Sequence, residues 1–262
     1  MVSHLHYAGA ALTESLVSDS DGRATSVTRL GLERQIVIAF VGMAFEAKIA
    51  AGPGVQVLCR TARSELPAIT ARAARQGYRG IISFGVAGGL ASKLRAGDWV
   101  VGSSVLEAQT RHHTDAAWSS KLVESIEGAT YAPIMGVDEP IAEPAHKREL
   151  HRSSGAAAVD MESHMVARLA AAHGLAFAAV RVIVDPAHRP IPPAAIIGMG
   201  ANGRTDFTAI LRNVARRPLQ LSPLARLAVD AIAARAELLR VRRLLGPHFG
   251  LVELASTAIA AE

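Results

Sequence analysis

A chain of 262 residues, half of them apolar and 4% aromatic, is long enough for one large α/β domain or two small ones and can bury a substantial core. Its single cysteine, Cys59, excludes a disulfide framework within the chain and suits a reducing compartment. No apolar run reaches the roughly 18 residues of a membrane-spanning helix, and the net charge of +5 favours acidic partners, with nucleic acid and an anionic membrane surface as the candidates.

Residues 1–26 lack a basic start followed by a firm apolar region and read as a tail or a mis-set start, not a signal peptide, and 1–34 is taken as an N-terminal tail. QIVIAFV (35–41) is a β-branched apolar run ending at Gly42, the pattern of a buried strand. GMAFEAKIAAG turns into a short helix, VQVLCR (55–60) is a second strand, and ELPAITARAARQG (65–77) is an Ala-rich helix closed by Gly77. GIISFG (80–85) is a third strand, followed by a glycine-rich turn, VAGGL. GDWVVGSSVLEA (97–108) is a strand pair or one long bent strand. His112 and His113, being adjacent, read as a solvated loop rather than a metal site, and YAPIMGVD (131–138) adds a strand. In AAAVDMESHMVARLAAAHG (156–174) two carboxylates, Asp160 and Glu162, stand at the mouth of an apolar helix; AFAAVRVIVD (176–185) is a last buried strand. Strands alternating with helices imply a mixed, mostly parallel central sheet flanked by helices. Beyond Asp185, PAHRPIPPAA is a Pro-rich connection, and 205–245 is helical in pattern with Pro218 and Pro223 as breaks.

Ligands of open α/β sheets sit beyond the carboxyl ends of strands. The residues gathered at such ends are Met43 and Glu46 after Gly42, the run Gly85–Gly89, the triplet Asp160-Met161-Glu162, and Asp185. Strand alternation puts Arg181, Ile183 and Asp185 on one face. A charged Arg in an apolar strand needs a partner; Asp185 and Glu162 are the candidates. Two purely structural readings compete, an Arg–Asp brace at a sheet edge and a helix N-terminal cap by the acidic pair. The dinucleotide and phosphate-loop glycine patterns are both missing.

The order strand-Gly-Met-x-x-Glu, FGVAGGL, VDMES, VRVIVD resembles the purine nucleoside phosphorylase and methylthioadenosine/S-adenosylhomocysteine nucleosidase superfamily over about residues 35–190. DPAHRPIPPAA and the basic helical tail resemble its hopanoid-associated phosphorylase group, whose members are thought to remove adenine from adenosylhopane. The resemblance implies a nucleosidase-like domain over 35–200 and a C-terminal helical extension over 201–262. It implies an enzyme that cleaves a purine N-glycosidic bond without metal or organic cofactor, working as a homo-oligomer in the cytoplasm. In that pattern Glu162 accepts hydrogen bonds from the ribose hydroxyls, which suits a carboxylate with two acceptor oxygens. Met161 packs against the sugar, and Asp160 is structural. Asp185 protonates or hydrogen-bonds N7 of the leaving purine. The backbone at Val86, Ala87 and Gly88 approaches the sugar closely, and Arg181 completes the substrate-binding set.

The chain departs from the pattern in instructive ways. Glu46-Ala47-Lys48 stands where phosphorylating members carry Arg-Ala-Lys. A carboxylate repels phosphate and matches the water-activating glutamate of the nucleosidases, so the resemblance favours hydrolysis. Phosphorolysis is the alternative, with phosphate as co-substrate and Lys48 or Arg60 as its anchor. Val86 and Val184 replace two family serines. A non-catalytic nucleoside-binding module is the alternative of a different class; nucleic acid is disfavoured, since Glu46, Glu162 and Asp185 would repel its backbone.

The tail carries Arg212, Arg216, Arg217, Arg226, Arg235, Arg240, Arg242 and Arg243 against three acids over 205–245. Leu224, Leu227, Ala228, Ala231, Leu238, Val241 and Leu245 form an apolar stripe at near-helical spacing. A helix packed on the domain and a helix that meets an anionic lipid surface from the cytoplasmic side are the two readings.

Overall fold

The structure is a computed structural model that describes residues 37–59, 64–198 and 206–251. The expected tail over 1–34 and Arg60 lie outside the described residues. Strands β1 (Val37–Val41), β2 (Val55–Cys59) and β3 (Gly80–Gly89) alternate with helices α1 (Ala44–Ala50) and α2 (Leu66–Arg75). Then follow β4 (Trp99–Glu107), β5 (Thr110–His113), α3 (Ala116–Ser125), β6 (Thr130–Gly136), α4 (Pro144–Ser154), β7 (Ala158–Asp160), α5 (Ser163–His173) and β8 (Ala176–Asp185). Helices α6 (Pro193–Gly198), α7 (Phe207–Arg216) and α8 (Leu221–Leu244) complete the described chain.

The strands form one sheet in the order β2-β1-β3-β7-β6-β4-β5, with β8 bridging β3 and β4. Strands β3, β7, β6, β4 and β8 therefore close into a ring, from which β1 and β2 continue beside β3 and β5 beside β4. Five pairings are parallel and three antiparallel, so the sheet is mixed and mostly parallel.

Strands β1, β3, β4, β7 and β8 are buried on both faces along most of their length, as near-continuous apolar runs require, whereas β5 is largely exposed. Ile38, Phe40, Phe177, Ala179 and Ile183 point to one core with Leu66 and Ala73 of α2 and Met165, Val166 and Ala170 of α5. The alternate residues, Val37, Ala39, Val41, Ala178, Val180 and Val182, point to a second core with α1, α3 and α8.

Several expectations change. The glycines after Phe84 do not make a turn: β3 runs on through Gly89 because β8 pairs it along its length and β7 pairs Gly88 and Gly89 from the other side. His112 and His113 lie on β5, a hairpin strand paired with β4, not in a loop. Pro223 does not break the tail helix; it sits in the first turn of α8, where its missing N–H costs nothing. Pro218 does begin a short 3-10 turn between α7 and α8. The far half of α8 belongs to the core: Ala234, Leu238 and Val241 are buried with Leu245 and Phe249. Phe249 packs edge-on to Phe84 at 5.1 Å, its carbonyl accepts from Trp118 Nε1 at 2.8 Å, and Arg242 stacks over its ring. The other expected stripe positions are half-buried (Leu224, Leu227) or exposed (Ala228, Ala231).

Candidate active site

A solvent-open cleft lies where the carboxyl ends of β1, β3 and β8 meet β7, the place where open α/β sheets hold their ligands. Parallel strands put their ends on one side, and β7 enters beside Gly88 to bring the Asp160–Glu162 segment to the same place. Glu46, Val86, Ala87, Gly88, Met161, Glu162 and Asp185 all line the cleft. Arg181 does not; it is fully buried beneath it.

The floor is a charge cluster around that arginine. Its Nη2 lies 2.5 Å from Oδ2 of Asp160 and 3.8 Å from Oε2 of Glu162. The same nitrogen donates to Ser83 Oγ at 2.5 Å and to Ser163 Oγ at 3.2 Å. Asp160, then, is the principal partner of Arg181; Glu162 is a secondary one, and Asp185, the other expected candidate, pairs elsewhere. Asp160 also caps α5, its Oδ1 accepting from Ser163 N at 3.1 Å, so the capping reading holds for Asp160. Glu162 occupies the N-cap position without making a side-chain cap bond. Among the described residues, Nε and Nη1 of Arg181 have no hydrogen-bond partner.

Glu46 sits against this cluster. Its Oε2 accepts from the backbone N–H groups of Gly42 and Met43 at 2.9 and 2.8 Å, and its Oε1 accepts from Val86 N at 2.8 Å. The bond to Met43 N is the reach-back of a helix N3 glutamate, so α1 and β3 jointly fix the carboxylate. Burial pushes its pKa above the ordinary value, against the lowering pull of Arg181 and of the three N–H donors. Glycine is required where these groups crowd the backbone: a Cβ at Gly85 would meet Glu46 Oε1 at 2.5 Å and Arg181 Nη1 at 2.7 Å. A Cβ at Gly42 would meet Glu162 Oε1 at 2.8 Å.

At the other end of the cleft Asp185 closes β8. Its Oδ2 lies 2.6 Å from Nζ of Lys147 on α4, a lysine fully withdrawn from solvent. Burial raises the Asp185 pKa, and Lys147 opposes that rise. Lys147 is the functional-site residue that sequence reasoning misses, along with Ser83 and Ser163 under Arg181. No local signal marks it: α4 reads PAHKRELHRSS, a polar segment in which Lys147 is the buried residue. Among the described residues no group of three or more His, Cys, Asp or Glu is arranged to hold a metal ion, and no helix is long and apolar enough to cross a membrane.

The sequence model of the phosphorylase superfamily matches residues 55–221. No match is found among curated protein sequences. The fold is similar to that of futalosine hydrolase from Helicobacter pylori strain 26695, with a TM-score of 0.52 and 15% identity over 68% of this chain and 97% of that one. It is also similar to 5′-methylthioadenosine/S-adenosylhomocysteine nucleosidase from Helicobacter pylori bound to butyl-thio-DADMe-Immucillin-A (TM-score 0.53, 14% identity, 78% of this chain and 96% of that one). The nucleosidase of the same name from Neisseria meningitidis, in complex with methylthio-immucillin-A, gives a TM-score of 0.52 at 14% identity over 78% and 97% of the two chains. At these identities the similarity is one of fold.

Proposed function

The chain belongs to the phosphorylase superfamily, and on that premise we propose that it hydrolyses the N-glycosidic bond of an adenosine derivative and releases adenine. The observation that carries this reading is the convergence of Glu46, Glu162 and Asp185 on one cleft. A base works best with its pKa near the operating pH, and burial moves Glu46 in that direction. In the proposed step a water held by Glu46 attacks C1′ and gives Glu46 its proton. The C1′–N9 bond breaks, its electron pair passes to the purine, and N7 takes the proton of Asp185. Glu162 holds the ribose diol and places negative charge beside the developing oxocarbenium ion.

The substrate proposed is adenosylhopane. Val137, Pro140, Ile141 and Ile191 line the cleft and suit a nucleoside with an apolar substituent. Adenine release from adenosylhopane, methylthioadenosine and S-adenosylhomocysteine, with and without phosphate, tests the reading. Free sugar at full rate in phosphate-free buffer is expected. Strict phosphate dependence overturns hydrolysis in favour of phosphorolysis, and no release from any of the three leaves a nucleoside-binding module.

The proposal extends to a cytoplasmic protein working at the inner membrane face. Leu219, Leu221, Val229 and Ile232 are exposed on and beside the near half of α8, with Arg216, Arg217 and Arg226 exposed among them. Apolar area and positive charge together suit an anionic lipid surface. Sedimentation with anionic but not neutral vesicles, lost at high salt, is expected. A homodimer that binds neither kind of vesicle assigns this face to a second copy instead.

A further inference from the structure

Helix α4 is polar along its length, yet it buries one residue, and that residue is a lysine. Nζ of Lys147 donates to Oδ2 of Asp185 at 2.6 Å. The carbonyl oxygens of Arg189, Asp185 and Pro186 stand 3.0, 3.2 and 3.3 Å from it. An ammonium has three protons, so four oxygens leave none idle. Those oxygens all belong to residues 185–189, the end of β8 and the turn beyond it. The turn continues to Ile191, a cleft wall, whose N–H donates to the carbonyl of Ala142 at 3.0 Å. One buried charge therefore ties the base-facing carboxylate and the wall beside it to α4.

We propose that Lys147 is a positioning residue for Asp185: it fixes the carboxyl group toward the cleft and stabilises the negative charge that Asp185 acquires on giving its proton to the leaving base. The proposal rests on the role of Asp185 in the reading above. When the C1′–N9 electron pair passes to the purine and N7 takes the Asp185 proton, a carboxylate is left in a nearly dry site. Lys147 keeps all its protons and supplies the countercharge in place.

The groups around Asp185 decide the direction of the test. Lys147 faces it from α4, Asp230 acts on it from α8 with the opposite sign, and the Arg189 side chain of the following turn is spent on Asp230. Burial is the largest influence and raises the Asp185 pKa; Lys147 is the largest opposing one. Removing the ammonium leaves a weaker acid.

The experiment compares wild type with Lys147→Met in turnover as a function of pH, and in the titration of the Asp185 carboxyl by carbon-13 NMR, with Asp185→Asn giving the assignment. The expected result is a plateau rate lowered roughly ten- to a hundredfold. The alkaline limb and the carboxyl titration should both move to higher pH, by about 1–3 pH units, the reach of a single opposite charge at close range. Lys147→Arg, which keeps the charge, should hold the limb near its wild-type position. If Lys147→Met does not fold, Lys147→Gln serves, since its amide can keep a hydrogen bond to Oδ2 without charge. A lowered plateau with an unmoved limb and an unmoved carboxyl titration overturns the proposal and leaves Lys147 a packing element. A moved carboxyl titration in a protein that cleaves no nucleoside sustains the clamp and sinks the proposed activity instead.

Discussion

Two fully buried cations sit under the two ends of one cleft, and they are satisfied in opposite ways. Lys147 meets four oxygens with three protons and one carboxylate. Arg181 meets Asp160 and Glu162, stands close to Glu46, and still leaves Nε and Nη1 without partners. A buried donor left unpaired costs about 1–3 kcal/mol. A fold that tolerates two such donors at one spot and none at the other treats the two ends differently. The lysine end is complete as it stands. At the arginine end one guanidinium nitrogen is shared among two carboxylates and two serine hydroxyls, and Glu46 packs against the same group.

Replacing the cations is the strongest way to break that comparison. Arg181→Met removes the countercharge from Asp160, Glu162 and Glu46 together. Stripping one partner from a buried ionic group costs about 3–5 kcal/mol, and here carboxylates are left facing one another. Lys147→Met strands a single carboxyl, which can take up a proton because burial already raises its pKa. Urea unfolding is expected to show a larger loss of stability for Arg181→Met than for Lys147→Met. Equal losses would mean that the arginine cluster is no more tightly coupled than the lysine pair.

The two ends also differ in how far the sequence announces them. Glu46 and Asp185 are legible because each stands at a recognisable strand end, and strand ends on one side of a parallel sheet must converge; Glu162 is legible only from the apolar helix that it precedes. Arg181 is legible as a charge inside an apolar strand that demands a partner, but not which partner. Asp160 takes it because β7 lies antiparallel beside Gly88, a pairing between segments about seventy residues apart that no local pattern encodes. The same long-range pairing turns the glycines of VAGGL from a turn into strand. Lys147 is illegible for a different reason. Burial at a single position of an eleven-residue polar helix leaves no amphipathic period to read, so α4 goes unassigned along with its lysine. The apolar stripe of the tail is half right for a related reason. Leu238 and Val241 do pack inward, but the exposed Val229 and Ile232 put a second apolar face on the same helix, and a stripe drawn from sequence cannot say which face meets the sheet.

A smaller effect sharpens the contrast through pH. Glu46 has a folded-state pKa above its ordinary value of 4.5, with burial as the largest cause and Arg181 opposing. A carboxyl of this kind binds its proton more tightly in the folded protein than in the unfolded one. Its contribution to stability is therefore fully present below pH 4.5 and is lost as pH rises through the folded value. Glu46→Gln removes that titration. The variant also loses an acceptor for Val86 N or for the Gly42 and Met43 pair, but that loss does not change with pH. Melting temperatures of wild type and Glu46→Gln across the acid-to-neutral range isolate the slope from the offset. The wild type should lose ground to the variant from about pH 4.5 upward, by roughly a few degrees in all. A constant difference across that range would mean that Arg181 fully offsets the burial of Glu46. The arginine end would then have no charge to spare for a ligand, and the contrast with the lysine end would fail.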